Sequence, residues 1–434
     1  MQGKNNQANR TTNPVHIIGT DASGLEKIPS HLKKIILSTN QIAAPKRILD
    51  TISDWWVNTN PHKHSPELFP SDKPKELIEW LQKQTNQTVV LASGDPLWFG
   101  IGKCLIDSLP ENRLIFHPSI SSLQLAFARL NRSWHDASWI SLHGRDPSPL
   151  AKRLQGRPKA LAILPDPSRG GAQEVRQYLR SAGLERSYAL WICEQLGHKE
   201  ERIQRLLPSQ ELTTDLHPLH IVVLISQESS TDASESLPLF GIDDGVYTQH
   251  PTRPGLMTKR EIRVQLIADL ELPYEGVIWD IGAGVGSIGL ETLRIRPKLQ
   301  LLAIDKRVGT AKIIQKNANK LSVNPSKIIE NEILETLAES NLPEKLKFPD
   351  RVVLGGGGSD RNKILKILIR QINPGGIIVI PLVTLEAVSQ MVSILKASKC
   401  KLSVGQHQHF RGIPLADGTR LSPMNPIFIL KGKF

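Results

Sequence analysis

The run Val277-Ile278-Trp279-Asp280-Ile281-Gly282-Ala283-Gly284-Val285-Gly286-Ser287 constrains the fold more than any other stretch. An apolar segment ends in spaced glycines, and a helix-like segment follows. That is strand, tight turn, helix. Glycines suit such a turn because the backbone bends sharply and lets other groups come close. The following helix aims its N-terminal N–H groups at the turn. A second apolar run ends in Asp305, 19 positions past Gly286. In nucleotide-type folds an acid about 20 residues on accepts hydrogen bonds from ribose hydroxyls. Gly284, Gly286 and Gly289 fit the dinucleotide pattern G-x-G-x-x-G. That pattern predicts a strand running straight into Gly284. Here the strand ends one turn earlier, at Asp280-Ile281-Gly282.

A chain of 434 residues exceeds one ordinary core, so two domains are expected. The composition, 39% hydrophobic and 22% charged, suits a globular protein. No apolar run approaches the ~20 residues of a membrane span. Residues 1–13 are polar, which predicts a frayed tail and no secretory signal. Cys104, Cys193 and Cys400 are odd in number and far apart. They predict neither a disulfide framework nor a metal site, and they fit a reducing cytoplasm. The net charge of +12 raises the prospect of a polyanionic partner, but no dense basic block or basic–aromatic stripe marks a nucleic-acid surface.

The first half alternates strands and helices, an α/β pattern. Strands are expected at 15–19, 88–92, 114–116, 139–142, 160–164, 189–193 and 221–225, and another at Ile35-Ile36-Leu37. A helix is expected from about Leu25, and the Pro-rich stretch 58–74 reads as loop. The pieces Ala92-Ser93-Gly94-Asp95-Pro96, Pro118-Ser119, His143-Gly144-Arg145 and Glu194-x-Leu196-Gly197 occur in an order that resembles the tetrapyrrole methylases. The resemblance implies two α/β lobes with S-adenosylmethionine between them, held by Gly19, Gly94, Asp95 and Ser119. Asp21 stands where that family has the middle glycine of its first turn. Arg47 is kept where the family's neighbouring histidine is not.

Residues 229–240 read as a linker between domains 1–228 and 241–434. In the second domain, Thr258 followed by Glu261 predicts a capping box on a helix to about Leu270. Strands are expected at 327–330, 351–354 and 377–380, with a closing antiparallel pair at 401–404 and 426–430. The acid-ended register Asp280-x-Gly282-x-Gly284-x-Gly286 resembles class I (Rossmann-like) methyltransferases. Together with Met257-Thr258-Lys259-Arg260-Glu261, the glycines 355–358 and Asn373-Pro374-Gly375-Gly376, it resembles the decarboxylating precorrin methyltransferases of corrin-ring synthesis.

That resemblance implies a second S-adenosylmethionine site, one in each domain. Thr258, Asp280, Gly282, Ala283, Gly284, Val285, Gly286, Asp305, Glu332 and Ile333 would form it, with Asp280 near the methionine end and Ile333 by the adenine. Gly355, Gly356, Gly357 and Gly358 would face the tetrapyrrole. The substrate is a polycarboxylate, so Arg253, Lys259, Arg260 and Arg411 are candidate clamps. The implied activity is methylation at C5 and C15 with loss of an acetate carboxyl, in a homo-oligomer. No nucleic acid, membrane or metal is expected. The competing expectation, suggested by the +12 charge, is an RNA methyltransferase working through the second domain.

Overall fold

The computed structural model describes residues 13–59, 64–208, 210–213, 215–227, 234–338, 342–415 and 418–434. The expected tail, up to residue 12, and linker positions 229–233 lie outside them. By contacts the chain forms two units. The first comprises residues up to Arg145 with Ala160–Ala172 and Leu190–Leu224, and the second Asp146–Lys159, Gln173–Ala189 and Ile225–Phe434.

In the first unit a parallel sheet runs in the order Glu67–Pro70, Gln41–Ala44, Thr88–Ser93, Val15–Thr20, Leu114–His117. Three expectations fail here. Ile35-Ile36-Leu37 lies inside the helix Ser30–Ser38, not in a strand. Leu32 and Ile36 are both buried, and their spacing of one helical turn decides against the short apolar run. The helix expected near Leu25 starts at Ser30. The stretch read as loop contains the edge strand Glu67–Pro70, whose Pro70 is tolerable only at a sheet edge. A second five-stranded sheet has the order Ala137–Ser141, Ala160–Leu164, His220–Ser226, Tyr188–Glu194, Arg202–Leu206.

The second unit holds a seven-stranded sheet in the order Lys327–Glu330, Lys298–Asp305, Glu275–Ile281, Arg351–Leu354, Ile377–Leu382, Ile427–Lys433, Lys401–His407. The first five strands are parallel, and Ile427–Lys433 is antiparallel to both of its neighbours, as the closing pair predicted. The chain winds outward from Glu275–Ile281 in both directions, so the topological switch lies beside that strand's carboxyl end. Alternation splits the strand between two cores. Ile278 joins one face and Val277, Trp279 and Ile281 the other. Asp280 shares the face of Ile278, beneath the helix Ser287–Ile295. The hairpin Phe410–Leu415 with Gly418–Pro423 was not legible as strands.

The helix Arg260–Asp269 starts without the predicted capping box. Lys259 is the N-cap and makes no side-chain cap bond. Glu261 instead binds Arg411 at 2.9 and 2.8 Å. A charge hub fixes the helix. Arg263 is fully buried and reaches Asp244 at 3.1 Å and Glu291 at 2.7 Å. Tyr247 Oη donates to Glu291 at 2.7 Å, and Arg263 donates to the Thr258 carbonyl at 2.7 Å. Removing one partner of a buried network strands the others without countercharge. Arg263→Ala is therefore expected to lower unfolding free energy by about 3–5 kcal/mol in urea titration.

Candidate active sites

In the second unit, the strand ends are laced by loop backbone. Gly282 and Ala283 N–H donate to Ile304 O at 2.8 and 3.1 Å, and Gly355 and Gly356 N–H donate to Ile281 O at 2.9 and 3.1 Å. The two glycine loops touch. A Cβ on Gly282 would lie 2.6 Å from the Gly356 backbone, and Gly282 sits at φ +78°. At Gly286 a Cβ would meet Ile314 at 3.0 Å, and at Gly289 it would meet Leu301 at 2.7 Å. These three glycines make room for the protein itself. Gly284 is the open one, with only Arg307 Nη2 near its missing Cβ, at 3.4 Å. A ligand has room to approach the backbone there.

Asp280 is buried and accepts the Gly289 N–H at 3.0 Å, so it braces the start of the helix beneath the loop. Burial pushes its carboxyl up to about 7, against the Gly289 bond and with help from the Asp305 charge. Asp305 ends its strand and accepts four bonds. Gly284 N–H and Arg307 Nη2 bind Oδ2 at 2.8 and 2.7 Å, and Arg307 N–H and Nε bind Oδ1 at 3.0 and 2.9 Å. Burial opposes its ionisation. The Arg307 bonds outweigh that and hold the carboxyl below its ordinary value. An ionised carboxyl has about four acceptor directions, and these four N–H donors fill them.

The remaining predicted residues divide. Thr258 is held through its carbonyl by Arg263. Glu332 is exposed and pairs with Lys306 at 3.1 Å. Ile333 turns its side chain into the core. Val285 and Ala283 are buried in the core beneath the loop. Of the candidate clamps, Arg411 is compensated by Glu261 and is not a free cation. Arg260 Nε binds Gly241 O at 2.5 Å and Lys259 Nζ binds Gly255 O at 3.0 Å. Burial, with Arg157, Arg411 and Arg263 nearby, pulls the Lys259 ammonium below its ordinary value despite Asp244. Arg253 is exposed.

In the first unit, Gly19 sits where loops converge. A Cβ there would meet Gly94 O at 2.4 Å and Ser119 Cβ at 2.7 Å. Beside this junction is a cavity of about 350 Å³, whose walls include Asp21, Arg47, Gly94, Asp95, His143 and Arg145. Asp95 Oδ1 accepts the Leu97 N–H at 2.8 Å, a turn that fixes the carboxyl on the wall. Asp21 Oδ1 accepts the Ser23 N–H at 2.9 Å, while its Oδ2 occupies the space of a Gly197 Cβ. Arg47 donates to Ser93 Oγ at 2.6 Å. The lining carries both signs, the carboxylates of Asp21 and Asp95 and the guanidiniums of Arg47 and Arg145. The sequence reading missed Arg307 and Arg263, which no motif marks.

The seven-stranded order and the acid-ended glycine loop define a class I methyltransferase domain. Residues 251–432 match the precorrin methyltransferase domain, and residues 14–209 match the tetrapyrrole (corrin/porphyrin) methylases. A cobalt-precorrin-6B C(15)-methyltransferase (decarboxylating) of Pyrobaculum aerophilum is 34% identical over 40% of this chain and 87% of its own length. A precorrin-6Y C(5,15)-methyltransferase (decarboxylating) of Sinorhizobium sp is 28% identical, covering 85% of this chain and 84% of its own. One from Mycobacterium tuberculosis is 25% identical over 95% and 97%. The chain belongs to the family of decarboxylating precorrin methyltransferases.

The buried Asp280 makes a pH prediction. Its carboxyl lies at about 7 when folded and at the ordinary 3.8 when unfolded. Between those values the folded chain keeps a proton that the unfolded chain has lost. This contribution is complete below about pH 4 and disappears as pH rises through about 7. Urea titrations across that window should show a steeper fall in stability for the wild type than for Asp280→Asn. Equal slopes would mean that Asp280 is ionised in the folded chain.

Proposed function

We propose that the chain methylates a precorrin at C5 and C15 and decarboxylates one acetate arm. Residues 1–228 would carry the C5 step and residues 241–434 the C15 step, each with its own S-adenosylmethionine site. The observation that carries the second site is the open face of Gly284 beside the Asp305 carboxylate, at the switch point of the sheet. Bound there, S-adenosylmethionine supplies a methyl group on a sulfonium.

The chain's part is placement. Methyl transfer needs in-line approach and little acid–base help, so orientation dominates. Asp305 would take the ribose hydroxyls as Arg307 swings off, and the Gly284 N–H would keep the carboxylate aimed. Glycines 355–358, pressed against the cofactor loop at Gly282, would form the floor of the tetrapyrrole side. In the first unit the cavity, lined by the carboxylates of Asp21 and Asp95 and the cations of Arg47 and Arg145, would take the same zwitterionic donor. Decarboxylation leaves an electron pair that the conjugated ring accepts, so no Ser or Cys nucleophile is required. The setting is a cytoplasmic homo-oligomer whose partner is a tetrapyrrole, not nucleic acid.

The test is product analysis with methyl-labelled S-adenosylmethionine and precorrin-6. Wild type should add two methyl groups and release one carbon dioxide. Asp305→Asn should retain the C5 methylation and lose the C15 methylation together with carbon dioxide release. Loss of both methylations in that variant would contradict the division of labour.

A further inference from the structure

Arg361 differs from Arg263, Arg307 and Arg411 around the second site. Arg263, Arg307 and Arg411 each contact a carboxylate. Arg361 donates from Nε to the Gly356 carbonyl at 2.9 Å. Among the described residues no carboxylate pairs with it. The adjacent Asp360 is drawn to Lys363 Nζ at 3.0 Å instead. Burial pulls the Arg361 guanidinium below its ordinary value. The residue also opens the helix Arg361–Gln371, whose first turn has no acid. A cation is disfavoured at that end by the helix dipole. The Gly356 bond uses Nε alone and leaves this partly buried cation without a carboxylate.

The carbonyl that anchors Nε belongs to Gly356, whose backbone abuts Gly282 of the cofactor loop. Gly357, at φ +100°, packs on the arginine backbone, where a Cβ would lie 3.1 Å from Arg361 Cα. The guanidinium therefore sits beside the two glycine loops at the strand ends. Nε is used, and the Nη edge keeps N–H donors in a planar fork. That fork matches the two oxygens of a carboxylate.

We propose that Arg361 receives a carboxylate arm of the tetrapyrrole in the second site. This rests on the reading of that site given above. The arm is one that the reaction keeps. An ion pair on the departing carboxylate would stabilise the ground state that decarboxylation must leave.

The experiment uses the full chain, with Arg361→Gln and Arg361→Lys beside wild type. Three quantities are measured: KM for precorrin-6 in the C15 step, affinity for S-adenosylhomocysteine, and melting temperature. Arg361→Gln should raise KM by about tenfold or more, the loss expected for one charge-assisted bond. Its affinity for S-adenosylhomocysteine should stay within about twofold of wild type. Arg361→Lys, which keeps charge and loses the fork, should fall between. The melting temperature of Arg361→Gln should hold or rise, because an uncompensated charge is removed. An unchanged KM would overturn the proposal. So would an equal loss of S-adenosylhomocysteine affinity, which would mean that Arg361 only holds the Gly356 loop. A wild-type chain that binds no S-adenosylhomocysteine would remove the reading of the site and the proposal together.

Discussion

The second unit depends on the contact between Gly282 and Gly356, two backbones with no space for a Cβ between them. That contact brings the loops after Glu275–Ile281 and Arg351–Leu354 together at the point where strand order reverses. The loop amides then close on the carbonyls of Ile281 and Ile304. Buried backbone groups must find partners, and here each loop satisfies its neighbour's strand end. The rim that results leaves Gly284 as the open position and sets Asp305 beside it.

Two charged features steady the rim in different ways. Beneath it, Asp280 is a buried acid whose proton affinity is raised, and it holds the helix start through Gly289. Behind it, Arg263 ties Asp244, Glu291 and the Thr258 carbonyl into one hub. A network of this kind specifies a single arrangement more than it adds stability, because burying its charges is costly. In this chain the arrangement it specifies is the approach of the 241–263 segment to the glycine loop. The Arg307 side chain closes the outer edge of the Asp305 carboxylate. It occupies the carboxylate that the glycine loop otherwise presents.

Much of the second unit was legible because its signals were long and periodic. The apolar runs ending in Asp280 and Asp305 became adjacent parallel strands, and the late pair closed the sheet as expected. Short segments misled. Ile35-Ile36-Leu37 reads equally as strand or helix face, and only the packing of Leu32 and Ile36 decides. Thr258 and Glu261 have capping-box spacing, yet Glu261 has a stronger partner in Arg411, 150 positions away in sequence. Motif glycines were legible as glycines but not by purpose. Gly282, Gly286 and Gly289 yield space to protein atoms, whereas Gly284 has only Arg307 Nη2 near its missing Cβ. Arg307 and Arg361 follow no pattern, because their roles come from tertiary neighbours.

The most direct measurement is isothermal titration of S-adenosylhomocysteine into the full chain, repeated with Asp305→Asn. The account predicts two sites per wild-type chain and one in the variant. A single site in wild type that Asp305→Asn abolishes would contradict it. That result would make the first unit's cavity, with Asp21 in its first turn, something other than a cofactor site.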